Sequence, residues 1–193
     1  MKVLIINGYE VFEGVGAAKL NNSLVDMEKE IFEKKNYEVR VTHVDKGYEV
    51  EKELENNLWA DIIFIQTPIY WFNIPGKFKS YIDKIYTIGN AGSMSNGDGR
   101  TRSDLSKKYG SGGLLTNKKY MLSVTANYPK EVFEENNSFF DGLTQDQTLI
   151  PLHKTYQYFG IQKLPTFSIF DVFKNPNVDS DIIDFKKHLE INF

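Results

Sequence analysis

One segment of the sequence is rich in aromatic residues that could form one side of a binding site for a planar ligand. Ile69–Phe72 contains three consecutive aromatic residues, Tyr70, Trp71 and Phe72, and lies between Pro68 and Pro75. Prolines stiffen a loop, and aromatic rings beside backbone N–H groups can hold a planar ring and its polar edge. The same rings would also suit the packing of a loop or of a dimer interface, so the segment alone leaves both interpretations open.

A second segment has the composition of a phosphate site. Gly16, Ala17 and Ala18 are small and precede an amphipathic helix that starts near Leu20, so a phosphate could approach the unpaired N–H groups of its first turn. Residues 14–19 resemble the G-x-G-x-x-G fingerprint, but Lys19 replaces the third glycine and several residues separate the segment from the preceding strand. A dinucleotide fingerprint is therefore not predicted, and a flexible surface loop is the alternative.

Two further segments carry weaker signals. Thr125 and Asn127 leave a strand and could form hydrogen bonds with a cofactor edge, although a simple turn explains them equally well. A glycine-rich loop carries basic residues that could bind phosphates, but acidic residues lie among them, which favours a solvated loop. The basic residues and the neighbouring tyrosine are Arg100, Arg102, Lys107, Lys108 and Tyr109, and the acidic ones are Asp98 and Asp104.

Several other chemistries find no support in the sequence. It has no cysteine, and it contains none of the patterns G-x-x-x-x-G-K-[ST], H-E-x-x-H or G-x-S-x-G. Its three histidines, His43, His153 and His188, are far apart along the chain. We therefore expect neither a metal site nor a side-chain nucleophile, and any redox chemistry would need a cofactor.

Length and composition indicate a globular protein. The 193 residues carry 23 Lys+Arg and 26 Asp+Glu, a net charge of −3, and 41% are hydrophobic. This length favours one domain over residues 1–193. The balance lacks the basic excess of a nucleic-acid binder, and no apolar run is long enough for a signal peptide or membrane insertion. We expect a cytoplasmic protein.

Hydrophobic periodicity predicts alternating strands and helices. Strands are expected at 3–6, 37–44, 61–68, 120–125 and 164–170, and helices at 20–35, 50–59, 76–85, 147–159 and 179–189. Between them, residues 87–118 contain seven glycines and no periodicity, which is typical of a long functional loop.

This alternation predicts an α/β fold with a five-stranded parallel sheet, doubly wound in the order 2-1-3-4-5, and helices on both faces. In such a sheet, ligands bind beyond the carboxyl ends of the strands, where the strand order reverses. The loops after strands one, three and four therefore become the candidate binding loops.

Longer stretches carry a family resemblance. Residues 98–102, 106–114 and 118–123 resemble the modulator of drug activity B family, and the likeness extends from Ile5–Gly8 to Lys187–Leu189. Members of this family are flavodoxin-like NAD(P)H:quinone oxidoreductases that hold FAD. Ala126 stands where family members have an aromatic residue, and Gln157 stands where animal quinone reductases have a histidine. The resemblance therefore implies no catalytic acid.

The resemblance implies specific FAD contacts. The diphosphate region corresponds to residues 16–23, the flavin-ring loop to 69–72, and further contacts to residue 109 and residues 125–128. The implied cofactor-binding residues are Gly16, Ala17, Ala18, Lys19, Leu20, Asn21, Asn22, Ser23, Ile69, Tyr70, Trp71, Phe72, Tyr109, Thr125, Ala126, Asn127 and Tyr128.

The predicted function is two-electron quinone reduction by a ping-pong mechanism through bound FAD, with NADPH or NADH as co-substrate, in a homodimer. The protein would supply binding and orientation rather than a conventional acid, base or nucleophile. One alternative is a flavodoxin-like electron carrier or a regulatory subunit of the kind associated with potassium efflux systems. Another is a Rossmann-type nucleotide-binding protein with Asp45 on a ribose.

Overall fold

A computed structural model describes residues 1–12, 19–133 and 139–193. Strands and helices alternate through these residues, as the periodicity predicts. The strands are β1 (Lys2–Asn7), β2 (Glu38–His43), β3 (Ile62–Pro68), β4 (Lys119–Thr125), β5 (Gln162–Lys163) and β6 (Phe167–Ile169). The helices are α1 (Lys19–Lys34), α2 (Val50–Trp59), α3 (Gly76–Gly89), α4 (Gln145–Thr148), α5 (Ile150–Tyr158) and α6 (Val178–Asn192).

The strands form one parallel sheet in the order β2-β1-β3-β4-β5, with β6 also paired to β4. The predicted doubly wound order is confirmed. β3 lies between β1 and β4 and is buried along its whole length, in agreement with its uninterrupted apolar sequence. Because all strands are parallel, the loops that follow β1, β3, β4 and β6 meet at one edge of the sheet, which we call the carboxyl edge.

The fifth position in the sheet differs from the prediction of a single strand over 164–170. Two short strands pair with β4 instead: β5 pairs with Lys119 and Tyr120, and β6 pairs with residues 123–125. The interruption contains Pro165, which has no N–H to donate to a ladder. The proline therefore divides the strand rather than standing near its start.

The sheet separates two hydrophobic cores. Val3 and Ile5 face the helices α1 and α6, where Phe32 and Phe185 are fully buried. Alternate residues such as Leu4 and Ile6 face the opposite core. Two-sided burial explains why β1 and β3 read as continuous apolar runs rather than alternating patterns. Among the helices in the described ranges, none combines the length and apolarity needed to cross a membrane.

The long loop begins at Asn90 because α3 continues to Gly89, and it is more ordered than its composition suggests. Met94 and Leu115 are buried in the core, and the Leu115 N–H donates to the Phe159 carbonyl at 2.9 Å. A Cβ at Gly113 would lie 2.2 Å from the Phe159 carbonyl carbon, so this close approach requires glycine. The loop thus packs at the amino ends of β4 and β5, the edge of the sheet opposite the carboxyl edge.

A cluster of charged and polar groups fastens α4 and α5 to the interrupted strand. Asp146 accepts hydrogen bonds from Thr166 Oγ1 at 2.6 Å and from Lys163, and lies 3.0 Å from His153 Nε2. The other ring nitrogen of His153 lies 2.8 Å from the buried Tyr120 hydroxyl. We call these five residues the edge clamp. The bond with His153, followed by those with Lys163 and Thr166, lowers the pKa of Asp146 well below its usual value.

Candidate active site

A cavity of about 650 Å³ opens at the carboxyl edge, where the loops after four strands converge on the start of α1. Most of its lining is apolar or aromatic, with a few amide and hydroxyl groups, a composition typical of sites for planar organic ligands. The lining residues are Tyr9, Phe12, Leu20, Asn21, Pro68, Ile69, Tyr70, Trp71, Thr125, Ala126, Asn127, Val172 and Phe173.

The aromatic segment after β3 forms a tight turn. The Tyr70 N–H donates to the Asn73 carbonyl at 2.7 Å, and the Asn73 N–H donates back at 3.1 Å. The two central residues, Trp71 and Phe72, have φ angles of 48° and 66°, a left-handed conformation that bulky side chains rarely adopt. This turn uses the backbone groups of its two ends, and the N–H groups of the two central residues have no partner among the described residues. They could therefore donate to a ligand. Such strain is characteristic of functional sites.

Tyr70 fixes one side of the cavity. Its hydroxyl donates to the Glu10 carbonyl at 3.1 Å, and its ring packs edge-on against Phe12 with centroids 5.3 Å apart. Burial, followed by the proximity of Tyr9, raises the pKa of the Tyr70 phenol well above its usual value. Tyr70 therefore remains neutral and ties the loop after β1 to the loop after β3.

An aromatic cluster lies beside the cavity. Phe72 contacts Phe139 and Phe140 with ring centroids 5.1 and 5.7 Å apart, and Phe140 stacks on Phe133 at 4.7 Å. Tyr128 packs edge-on against Phe140 at 5.4 Å. Phe72 and Tyr128 thus support the turn and the loop after β4 and are not part of the cavity lining.

Asn127 is oriented by the backbone. Its Oδ1 accepts a hydrogen bond from the Phe173 N–H at 3.2 Å, and the Val172 N–H donates to the Ala126 carbonyl at 3.2 Å. Because a backbone N–H can only donate, the oxygen of the Asn127 amide is already engaged and its NH₂ group remains as a donor. The loops after β4 and β6 therefore form one unit that presents a side-chain donor at the cavity.

Beneath the cavity lies a set of linked amides, Asn7, Asn21, Asn22 and Gln66, together with His43, which we call the floor network. Asn21 Nδ2 donates to Asn7 Oδ1 at 2.6 Å, and Gln66 Nε2 donates to Asn21 Oδ1 at 3.1 Å. Asn7 Nδ2 lies 2.8 Å from Asn22 Oδ1 and 3.1 Å from His43 Nδ1. The network connects β1, β2 and β3 to the first turn of α1.

The floor network is incomplete. Gln66 Oε1 and Ser123 Oγ are both buried, and neither has a hydrogen-bond partner among the described residues. Gln66 and Ser123 are register partners on β3 and β4, so their side chains point to the same face of the sheet. Buried polar atoms are nearly always paired, and this exception lies directly below the loops of the cavity.

The structure brings together most of the residues that the resemblance implies. Within the described chain, eight of them line the cavity, and Lys19, Asn22 and Ser23 occupy the first turns of α1 beside it. The predicted phosphate residues Gly16, Ala17 and Ala18, and Gly14 before them, lie outside the described residues. The eight lining residues are Leu20, Asn21, Ile69, Tyr70, Trp71, Thr125, Ala126 and Asn127.

Tyr109 lies elsewhere within the chain. Its side chain, 66% exposed, packs against Tyr158 with centroids 6.1 Å apart and lies beneath the Arg100 guanidinium at 5.2 Å. It lines a separate cleft of about 600 Å³ at the edge of the sheet opposite the carboxyl edge, which we call the amino edge. Arg100 also donates to Asp98 at 2.5 Å, so the acidic residues of this loop neutralise part of its basic character. Within one chain, Tyr109 therefore lies apart from the implied cofactor residues that line the cavity.

Five lining residues were not among the predicted site residues: Tyr9, Phe12, Pro68, Val172 and Phe173. Tyr9 and Phe12 follow β1, and Val172 and Phe173 follow β6. The rule that ligands bind beyond the carboxyl ends of strands also covers the loop after the final strand, so it is the signal that points to Val172 and Phe173. Asp45, considered as a ribose ligand, instead bonds to Lys77 at 2.6 Å.

Comparison with known proteins supports the resemblance found in the sequence. Residues 1–190 match the model of the Flavodoxin_2 family, which is described as having a flavodoxin-like fold. An uncharacterized protein of Schizosaccharomyces pombe is 41% identical over 98% of this chain and 95% of its own length. The NADPH:quinone oxidoreductase MdaB of Haemophilus influenzae is 38% identical over 98% of both chains.

Solved structures share the fold at lower sequence identity. A structure from Klebsiella pneumoniae superposes with a TM-score of 0.76 at 22% identity, covering 98% of this chain and 83% of its own. General stress protein 14 of Treponema denticola, solved in complex with FMN, has a TM-score of 0.63 at 17% identity and covers 99% of this chain and 97% of its own. At these identities the likeness shows the fold alone.

Proposed function

The chain belongs to the modulator of drug activity B family of flavodoxin-like proteins, and from that premise we propose that it is an FAD-dependent NAD(P)H:quinone oxidoreductase. The observation that carries the proposal is the cavity at the carboxyl edge, whose lining unites an aromatic turn, backbone donors and amide side chains. The relative named as an NADPH:quinone oxidoreductase covers nearly the whole chain, which supports the same activity.

The residues of the cavity fit a flavin. The Ile69–Trp71 segment offers an apolar surface, and the N–H groups at the centre of its turn can donate to the polar edge of a ring. Asn127 keeps its NH₂ group as a further donor, and Asn21, only 4% exposed, supplies an amide at the start of α1. A helix start also favours negative charge, as a diphosphate requires.

Held between the Ile69–Trp71 segment and Asn127, FAD would supply two-electron transfer from NAD(P)H to a quinone, with the two substrates using the same space in turn, a ping-pong sequence. The chain's own residues bind and orient. The turn at Tyr70–Asn73 fixes one wall, and donors at Trp71, Phe72 and Asn127 would stabilise negative charge at that edge of the cavity. Tyr70, held neutral by burial, maintains the loop through the bond that its hydroxyl donates to the Glu10 carbonyl.

FAD rather than FMN is proposed because FAD is the cofactor that the family resemblance implies, and the likeness to the MdaB relative runs over nearly the whole chain. The FMN complex among the structural neighbours makes FMN the competing outcome. NADPH or NADH is the proposed co-substrate and a quinone the proposed acceptor. A cytoplasmic location and a single domain over residues 1–193 remain predictions from the sequence.

A homodimer is part of the proposal. Trp71 is 92% exposed at the mouth of the cavity, and Phe12, Phe139 and Phe173 are exposed nearby, an apolar surface of the kind that a partner covers. A second copy could also bring its Tyr109 to this mouth, which would reconcile the implied cofactor contact with the position of Tyr109 in one chain.

The test begins with the visible spectrum of the purified chain and identification of any released pigment. Bound FAD that is bleached by NAD(P)H and recoloured by menadione supports the proposal. A chain that binds flavin but does not reduce free menadione would instead support the electron-carrier or regulatory alternative. A colourless chain that takes up neither FAD nor FMN would contradict the proposal.

A further inference from the structure

At its β2 end the floor network includes His43, which does not line the cavity, and this position suggests a role for a residue that the proposed function does not use. We propose that neutral His43, acting through Asn7, is a positioning residue that holds the first turn of α1 in its cofactor-binding arrangement. The inference rests on the proposed function, because the cofactor concerned is the flavin of that site.

The orientation of Asn7 is fixed independently of any assumption about hydrogens. Its Oδ1 accepts from the Tyr9 backbone N–H at 3.1 Å, and that group can only donate. The same oxygen accepts from Asn21 Nδ2 at 2.6 Å. The remaining group of Asn7 must then be the NH₂, which faces Asn22 Oδ1 at 2.8 Å and His43 Nδ1 at 3.1 Å.

This orientation dictates the state of His43. Both hydrogens of the Asn7 NH₂ group have partners only if His43 Nδ1 accepts, so the imidazole must carry its single proton on Nε2. His43 and Asn7 are register partners on adjacent strands, which holds the two side chains side by side. The ring is therefore an acceptor built into the network rather than a free surface histidine.

Protonation of His43 would place two N–H groups against each other. This repulsion could be relieved by flipping the Asn7 amide, which would break its bonds with Tyr9 and Asn21. It could also be relieved by rotating the His43 ring, which would leave one hydrogen of the Asn7 NH₂ group without its partner. The amide flip reaches Asn21, which lines the cavity, and Asn22, which lies beside it in the first turn of α1. Ring rotation instead removes one of the two acceptors that hold the Asn7 NH₂ group, the other being Asn22 Oδ1.

The surroundings of the imidazole favour the neutral state. Burial, followed by the charge of Lys46 in the short turn after β2, lowers the pKa of His43, while Asp26 on α1 acts in the opposite direction. The neighbouring strand β1 presents the uncharged Asn7. With a lowered pKa, the neutral and positioning form predominates at pH 7 and is lost as the pH falls through that pKa.

The experiment measures the FAD dissociation constant from pH 8 to pH 5, a range in which the diphosphate of FAD does not titrate. Wild type is compared with His43→Asn, whose Oδ1 can stand near the position of Nδ1 and accept from Asn7, and with His43→Leu, which cannot accept. We expect wild type to lose affinity about tenfold on acidification. His43→Asn should stay tight and independent of pH, and His43→Leu should be weaker throughout and independent of pH.

A second readout uses the chain without FAD. ¹⁵N NMR should show the His43 ring with its proton on Nε2 at pH 8, and the side-chain amide signals of Asn21 and Asn22 should shift as His43 titrates. A wild-type affinity that does not fall on acidification, or an unchanged pH slope in His43→Asn, would overturn the inference alone. If wild type binds no flavin, the proposed function fails. In that case the NMR readout still tests the positioning role, and Asn21 and Asn22 amide signals that do not shift as His43 titrates would overturn it.

Discussion

The floor network and the edge clamp are both partly buried clusters of polar side chains on the same sheet, yet they are built differently. The floor network consists of neutral groups, and at Gln66 it ends in an oxygen, Oε1, that has no hydrogen-bond partner among the described residues. The neighbouring Ser123 Oγ also has no partner among these residues. In the edge clamp, both oxygens of Asp146 are engaged by His153, Thr166 and Lys163. One cluster has spare hydrogen-bonding capacity below a cavity, and the other is saturated and charged.

This difference suggests that the edge clamp serves stability and that the floor network serves binding. A saturated charged cluster that bridges α4, α5 and the broken strand stabilises the fold, because removing one partner leaves the others unpaired. The unsaturated neutral cluster lies below an aromatic, strained turn, where the proposed function places the flavin. The following variants test whether binding and stability separate along this line.

The largest effect should come from filling the cavity. Val172 lines it and is half-buried, so Val172→Trp places a large ring where the proposed flavin lies. We expect FAD affinity to fall at least about 100-fold, or roughly 2.7 kcal/mol of binding free energy, by fluorescence titration. Val178→Trp adds the same ring at an exposed site in α6 and should leave affinity within about twofold. Equal losses of FAD affinity in both variants would contradict the proposal that FAD binds in this cavity.

The edge clamp should respond in stability and not in binding. Asp146→Asn weakens bonds to His153 and Lys163, and we expect the free energy of unfolding at pH 7 to fall by about 1–2 kcal/mol after allowance for solvent screening. Asp83→Asn, in an exposed pair with Lys79, should cost less than about 0.5 kcal/mol. FAD affinity should not change in either variant.

The pH dependence of the clamp follows from the lowered pKa of Asp146. A carboxylate with a depressed pKa contributes stability that is fully present above its unfolded value of about 3.9 and is lost as the pH falls toward the folded value. The cost of Asp146→Asn should therefore shrink in urea titrations below about pH 4. A cost that stays constant into acid would show that the carboxylate charge is not what stabilises the clamp.

The turn after β3 should show a smaller effect that separates strain from binding. Trp71 is 92% exposed and has a φ of 48°, so Trp71→Gly relieves strain and Trp71→Ala retains it, while both remove the ring. We expect the glycine variant to be more stable than the alanine variant by about 1 kcal/mol. Both should lose FAD affinity several-fold and to the same extent, measured by titration. Unequal losses would show that turn geometry, and not the ring, governs binding.

Tyr109 should give the smallest effect. Tyr109→Ala removes an exposed ring at the amino edge, so stability should change by less than about 0.5 kcal/mol. If a second copy brings Tyr109 to the cavity, FAD affinity falls a few-fold only at concentrations where sedimentation shows a dimer. An affinity that is unchanged in the dimer would remove Tyr109 from the site.

Much of the fold was predictable from local patterns. The run in β3 specifies a central strand, because only a strand covered on both faces buries every residue. The last strand is divided at Pro165, which has no N–H for the ladder. The edge clamp beside this division is supplied by residues between 120 and 166, so no local pattern reveals it. The order within residues 90–118 likewise depends on contacts with Phe159, far along the chain.

Part of the site was predictable from the rule that ligands bind beyond the carboxyl ends of parallel strands, because this rule identifies the loops that form the site. It identified the turn at Tyr70–Phe72 and the segment around Thr125 and Asn127. The floor network was beyond local pattern, because the orientation of each amide depends on a neighbour from another element. Asn7, for example, is oriented by Tyr9 and then constrains Asn21 and His43.

Amide hydrogen exchange with and without FAD tests the central claim most directly. We predict that FAD slows exchange in the loops after β1, β3, β4 and β6 and in the first turn of α1. The edge clamp and the amino-edge loop around residue 109 should show little change when the chain is dilute. Protection confined to the clamp or to the amino edge, or no protection at saturating FAD, would contradict the assignment of the carboxyl-edge cavity as the flavin site.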